Sequence, residues 1–338
     1  MKPTHALTQA QDFAQILQHI QQSKQKAYAQ VNATLIELYW NIGSLISQKV
    51  NQAAWGKGIV SELAQFIIQS DPTAKGFSDK NLWRMKQFFE TYHNDEKLSP
   101  LVRELPWTHN TIIFSRCKTI EERSFYLNLT HQEKYTKREL ERQIDASLFE
   151  RSTLGNQKLS AVLRELHPHI NNTFKDNYVL EFLGLPSIHS EAHLQSALIQ
   201  NMKQFIIELG RDFIFVGEEY RLQVGNQDFF IDLLFYHRDL SALVAFELKI
   251  GKFEPADIGQ LNFYLEALDR DIKKPHENPS IGVLLCSGKD DEVVEYALSR
   301  TLSPTLIAQY QTQLPDKKLL QRKLHEFYHL SLDAQEQA

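Results

Sequence analysis

Residues 229–250 read FFIDLLFYHRDLSALVAFELKI, two almost unbroken apolar runs joined by the four residues Arg238 to Ser241. Runs of this length and character predict strands buried on both faces, and a four-residue connection suits an antiparallel hairpin. Three charges interrupt the runs: Asp232, Glu247 and Lys249. An unpaired buried charge costs roughly several kcal/mol, so each of these needs a partner. The hairpin register sets Asp232 opposite Glu247, with Cβ atoms about 4.5–5.5 Å apart on one face. Lys249, two residues further on, shares that face. Carboxylates so close repel unless something positive lies between them, and hard oxygen donors suit magnesium or manganese. A plain ion pair of Lys249 with one acid would leave the other acid unexplained. The remaining members of that face, Phe230, Leu234, Leu243 and Ala245, are not those of a solvated surface.

Working outward, Glu191 to Leu209 has Leu194, Leu198, Phe205 and Leu209 on one helical face, and Phe213 to Val224 reads as a strand ahead of the hairpin. A helix over Pro255 to Leu268, a buried strand over Ile281 to Ser287 and a helix over Asp290 to Arg300 follow. This order predicts an α/β or α+β layout, a mixed sheet with helices packed on it. Upstream, to about Phe149, the period is helical. Asp12 to Val50 predicts a long amphipathic helix, in one piece or two, and Ile59 to Gln69 a second. Asp79 to Tyr92 predicts a third, with Ser78 as its N-cap, and Thr119/Glu122 and Thr136/Glu139 read as capping boxes. The expected organisation is a helical region 1–150, a linker 151–175 around the polar Arg151–Lys158 and His167-Pro168, and the α/β region 176–338.

The composition is that of a folded protein: 42% hydrophobic, with only 13 glycines and 11 prolines in 338 residues. Cys117 and Cys286 stand alone, which excludes a disulfide framework or a cysteine zinc site. No apolar run approaches the roughly 18 residues that span a bilayer, and Met1 to Ile20 is polar, unlike a secretory leader. A cytoplasmic protein is expected. The net charge of −5 does not exclude nucleic acid, whose binding depends on where cations lie and not on their sum.

Asp232, then fourteen residues, then Glu247-Leu248-Lys249 resembles the PD-(D/E)XK nuclease signature. More closely, FFIDLLFYHRDLSALVAFELKIGKFEPADIGQLNFYLEALD and the later NPSIGVLLCSGKDDEVVEYAL resemble the YhcG-like nuclease family. LYWNIG, WGKGIVSELAQFI, GFSDKNLWRMKQFFETY and LPWTH extend the likeness through the helical half. The resemblance implies a restriction-endonuclease-like αβββαβ domain hydrolysing phosphodiester bonds with magnesium or manganese. It implies that Asp232, Glu247 and the Leu248 carbonyl hold the metal and that Lys249 positions or activates the attacking water. A further acid is expected from the helix preceding the strands. Glu191 is the candidate, and Gln195, where the family pattern suggests a second glutamate, departs from it. Gln260 and Tyr264, four apart on the later helix, match a glutamine and an aromatic that face the site in such nucleases. Lys252 is placed to meet a phosphate.

In the helical half the predicted inner stripe of Asp79–Tyr92 is Leu82, Met85 and Phe89, leaving Lys80, Asn81, Arg84 and Gln87 as candidate nucleic-acid contacts. Lys86, Lys134, Lys137, Arg138 and Arg142 add cations for phosphates. The expected partner is DNA, and the N-terminal helices offer a surface for a homodimer. Two other functions compete: a helical binding module with an idle nuclease fold, and a glycosidase built on the acid pair. The intact Asp, Glu and Lys argue against the first. The adjacent lysine argues against the second, as does the confinement of all four tryptophans to the N-terminal half.

Overall fold

The computed structural model describes residues 4–336 apart from 53–54, 96–97, 169, 171–172 and 187. The chain divides into two compact units, Met1–Glu141 and Arg142–Ala338. The first is helical: α1 (Thr4–Asn51), α2 (Lys57–Ser70), α3 (Asp79–Tyr92), α4 (Leu98–Glu104), α5 (Trp107–Arg116) and α6 (Ile120–Glu133), with the division falling inside α7 (Lys137–Asp145). The long amphipathic pattern is therefore one unbroken helix. Tyr39 and Ile46 of α1 pack with Val60 and Ala64 of α2 and with Leu82 and Met85 of α3. A Cβ at Gly43 would lie 2.1 Å from the Met85 carbonyl oxygen, so α1 and α3 approach this closely only because that residue is glycine. The buried stripe of α3 is Leu82, Met85, Phe88 and Tyr92; Phe88, not the expected Phe89, points inward.

The caps behave as their chemistry requires. Ser78 Oγ accepts from Asn81 N, and Thr119 Oγ1 accepts from Glu122 N at 3.1 Å. At the start of α7 the box is reciprocal: Thr136 N donates to Glu139 Oε2 at 2.6 Å and Glu139 N to Thr136 Oγ1 at 3.4 Å.

The second unit runs α8 (Leu148–Leu154), β1 (Lys158–Leu159), α9 (Ala161–Leu166), β2 (Asn177–Val179), α10 (Glu191–Gln200), α11 (Met202–Leu209), β3 (Phe213–Val224), β4 (Gln227–His237), β5 (Ala242–Lys252), α12 (Asp257–Ala267), β6 (Ile281–Gly288), α13 (Asp291–Leu298), β7 (Thr305–Gln311) and α14 (Lys317–Glu336). Its mixed sheet has the order β1-β7-β6-β5-β4-β3, with β2 also on β7. β3, β4 and β5 form an antiparallel meander, and β5, β6 and β7 are parallel. One face carries α10 and α11 through Leu194, Leu198 and Phe205, over Phe235, Phe246 and Leu248. The other carries α12 and α13 through Leu261, Leu265 and Val294, over Leu234, Ala245 and Leu284. Both faces are covered, as the uninterrupted apolar runs require.

Three expectations need correction. The helix expected over Glu191–Leu209 breaks at Asn201, whose Nδ2 donates to the Ala197 carbonyl at 2.9 Å. The stretch 151–175 is no linker: Leu159, Leu163, Ile170 and Phe174 belong to the core of the second unit. β7 and α14 stand beyond the last element expected.

A buried charged cluster ties this unit together. Glu208, fully buried, meets Arg142 Nη1 at 2.9 Å, Lys175 Nζ at 3.4 Å and Arg151 Nη2 at 3.6 Å, and accepts from Val179 N at 3.1 Å. Burial alone would raise its carboxyl, but Lys175, Arg151 and Arg142 bring it down to about 2. Arg142, counted from sequence among the phosphate contacts, is thus committed to Glu208 and to Glu181 at 2.7 Å.

Candidate active site

The β4–β5 hairpin turns through Arg238–Ser241, with His237 paired to Ala242. Its ladder runs back to Leu233↔Phe246 and stops. One step further Asp232 faces Glu247, but there the hydrogen bonding changes hands. Leu248 N donates to the side chain of Asp232 on β4, at Oδ2, at 2.7 Å. The Asp232 carbonyl accepts from Gln195 Nε2 of α10 at 3.2 Å. Ile250 N donates to Glu191 Oε1 at 3.4 Å, and the Ile250 carbonyl accepts from Ser287 Oγ at 2.5 Å. The strands part at the acids, and side chains take up the backbone groups this releases.

Glu247 is 3% exposed. Its Oε1 meets Lys249 Nζ at 3.3 Å, whereas Oε2 is buried without a hydrogen-bond partner. Burial, and then the Asp232 carboxylate, push the Glu247 carboxyl up to about 7 against the pull of Lys249. Burial also raises Asp232, opposed by the Leu248 N–H and by Lys249, and reinforced by Glu191 and Glu219. For Lys249 burial works downward, but Glu247 and Glu191 outweigh it and hold the ammonium above its usual range. Of the expected apolar neighbours, Leu234, Leu243 and Ala245 are buried and Phe230 is half exposed.

On α12 the exposed Gln260 donates from Nε2 to the hydroxyl of buried Tyr264 at 2.7 Å. The phenol is raised by burial, and Glu247 and Asp232 push it the same way, so it lies within their electrostatic reach. Lys252 is the exposed last residue of β5, paired to Gly288, not a loop residue. Glu219 was not foreseen. It has φ +43°, rare for a residue with a side chain, and the β3–β4 ladder passes from Glu218↔Leu233 to Tyr220↔Ile231 around it. That register puts it across from Asp232, and Gly217 just after a β-bulge was the signal in the sequence.

The donors suit a hard divalent cation. Among the described residues no group of three or more His, Cys, Asp or Glu side chains gathers to hold a metal, so a cation here would rest on two carboxylates and backbone oxygen. The orphaned Oε2 of Glu247 beside Asp232 is a donor of the kind such an ion takes.

Residues 171–325 match the YhcG PDDEXK nuclease domain and residues 15–151 match the DUF1016 N-terminal domain. The chain is 32% identical to the "Putative nuclease YhcG" of Escherichia coli (strain K12), over 91% of this chain and 92% of that protein. The chain belongs to the YhcG family. Both family domains are thus present, and the residues of the parted hairpin lie in the nuclease domain. Two solved structures align more loosely, each with a TM-score of 0.26. One is a repair endonuclease from Pyrococcus abyssi (16% identity, 38% of this chain and 49% of that one). The other is an EndoMS–dsDNA complex (20% identity, 39% and 47%). Among the described residues no helix is long and apolar enough to cross a membrane.

In the helical unit the nominated contacts of this YhcG-family chain separate. Lys80 and Gln87 are exposed and Arg84 half-buried. Asn81 is occupied: its amide donates to the Gly76 carbonyl and accepts from Trp107 Nε1 at 3.0 Å, which removes it from the candidates. Lys86 is paired with Glu90 at 2.6 Å. His109 and Asn110 are also internal. His109 Nε2 meets the Tyr135 carbonyl at 2.9 Å, and Asn110 Nδ2 donates to the carbonyls of Val102 and Leu105.

Proposed function

We propose that the protein is a magnesium- or manganese-dependent nuclease that hydrolyses phosphodiester bonds of DNA in the cytoplasm, in recombination, repair or defence. The observation that carries this reading is the Glu247 carboxyl, buried beside Asp232 with one oxygen unpartnered and Lys249 3.3 Å from the other. Asp232, Glu247 and the Leu248 carbonyl would hold the ion, with Glu191 the nearest further acid. When bound, the cation supplies positive charge against the phosphate oxygens and lowers the pKa of water.

The chain's own groups do the rest. Lys249 donates a hydrogen bond that holds the attacking water in line with the phosphorus. The water oxygen forms the new P–O bond and gives up a proton, the ester P–O bond breaks, and the departing oxygen takes up a proton. Gln260 and Tyr264 form one bonded pair that orients the substrate from the α12 side, and Lys252 meets a flanking phosphate. Lys80, Arg84 and Gln87 contribute DNA contacts from the helical unit.

The test is incubation of the whole protein with duplex, single-stranded and branched DNA, and with RNA, in magnesium and in chelator. Cleavage of DNA that requires metal and disappears in both Asp232→Ala and Glu247→Ala is the expected result. Full activity in both variants would overturn the site, and cleavage of RNA alone would overturn the substrate.

A further inference from the structure

Helix α1 has two apolar faces. One, bearing Ile36, Tyr39, Gly43 and Ile46, is buried within the helical unit. The second is a separate stripe, rotated from the first by roughly a quarter turn at about 100° per residue. It begins Phe13, Leu17, Ile20, passes through Lys24 and Ala27, and continues Val31, Leu35, Leu38. Its spacing alternates four and three residues over most of its length, the rhythm of a helix-pairing seam. These side chains are in solvent: Phe13 is 62% and Val31 67% exposed, and every residue from 13 to 31 is exposed. A helix whose second face is this apolar is one that pairs.

We infer that this stripe is the dimer interface of the protein, pairing with the α1 stripe of a second copy. Area supports the choice of occupant. At roughly 150–200 Å² for a fully exposed large apolar side chain, the exposed stripe and its flanking Ile16, Tyr28 and Leu45 offer on the order of 800 Å² per chain, the size of a standard interface. A two-fold pair is also self-complementary by construction, so one stripe suffices for both partners. Lys24, mid-stripe, can lay its methylenes along its aliphatic neighbours while its ammonium stays at the wet rim.

The experiment is light scattering and sedimentation of the whole protein over a dilution series, with Leu17→Glu/Val31→Glu as the variant. Both side chains are exposed, so the variant keeps its helical content by circular dichroism. The expected result is a mass twice the 39.3 kDa of one chain for the parent and a dissociation constant raised by roughly tenfold or more in the variant. A monomeric parent, whether alone or bound to anionic vesicles through the stripe, would overturn the inference, as would an unchanged dimer in the double variant.

Discussion

Replacing Glu247 with glutamine tests whether the site is organised around a cation. In the folded, metal-free protein burial and Asp232 raise this carboxyl from 4.5 to about 7. Linkage converts that rise into roughly 3 kcal/mol, at about 1.4 kcal/mol for each tenfold change. A carboxyl raised in the folded state contributes stability while both states are protonated. It loses that contribution as pH climbs from the unfolded value near 4.5 to the folded value of about 7. Above that window the ionised Glu247 is a standing cost to the metal-free fold. Glutamine keeps the shape and can still meet Lys249, but carries no charge to bury.

Glu247→Gln should therefore be more stable than the parent in chelator at about pH 8 by up to roughly 3 kcal/mol. In a unit of this size that corresponds to a Tm rise of roughly 6–12 °C. The difference should shrink toward zero near pH 4.5, where the parent's carboxyl is protonated in the folded state and largely so in the unfolded one. Magnesium should raise the parent's Tm by mass action and leave the variant's nearly unchanged. Calorimetry across pH, with and without metal, measures all three. A variant no more stable than the parent at alkaline pH in chelator, or one that gains equally from magnesium, would refute the reasoning.

Lys249→Ala should retain metal affinity by calorimetric titration while cleaving far more slowly, and a lost affinity would contradict its role in holding water. Glu219→Gly should raise the Tm, because its positive φ costs about 1–2 kcal/mol for a residue with a Cβ and because a like charge is removed from across Asp232; a lowered Tm would count against both. Glu208→Ala should cost about 3–5 kcal/mol by stranding Arg142, Arg151 and Lys175. In the parent, the stability Glu208 supplies should fade as pH drops below 4.5 toward about 2; chemical denaturation at neutral and acid pH reads both. Lys80→Ala with Arg84→Ala, in a Glu247→Ala background that cannot cut, should flatten the salt dependence of DNA binding by about 0.9 log units for each phosphate left unneutralised. An unchanged slope would remove α3 from the interface.

What the sequence disclosed follows from which signals are local. Strands β4 to β6 were legible because burial writes a largely apolar run, and the hairpin because four residues separate two such runs. The acid pair was legible because charge in a dry strand has few explanations. β7 was not. Its run Thr305–Gln311 is short and ends in polar residues, and it becomes a strand by pairing between β6 and the distant β1 and β2. Residues 151–175 looked like a linker for the same reason: their apolar residues are sparse, and their partners lie more than a hundred positions away on β7. The role of Asn81 was hidden too, because a polar helix residue facing solvent and one bonded to Trp107 have the same sequence.

The departure at Gln195 gains a meaning from the parted ladder. A glutamate there could only accept, and the Asp232 carbonyl it would face needs a donor. The glutamine amide supplies one at 3.2 Å and so anchors the backbone of the residue whose side chain holds the Leu248 N–H. Two consecutive bonds, Gln195 to the Asp232 carbonyl and Leu248 to the Asp232 carboxylate, fix Asp232 from α10 on one side and β5 on the other. One oxygen of Asp232 is spent on that fixation, and one oxygen of Glu247 is spent on Lys249. The remaining two carboxylate oxygens carry the charge that burial and mutual repulsion make unfavourable. That half of the acidic oxygens hold position while the other half are left to repel each other supports the proposed divalent cation.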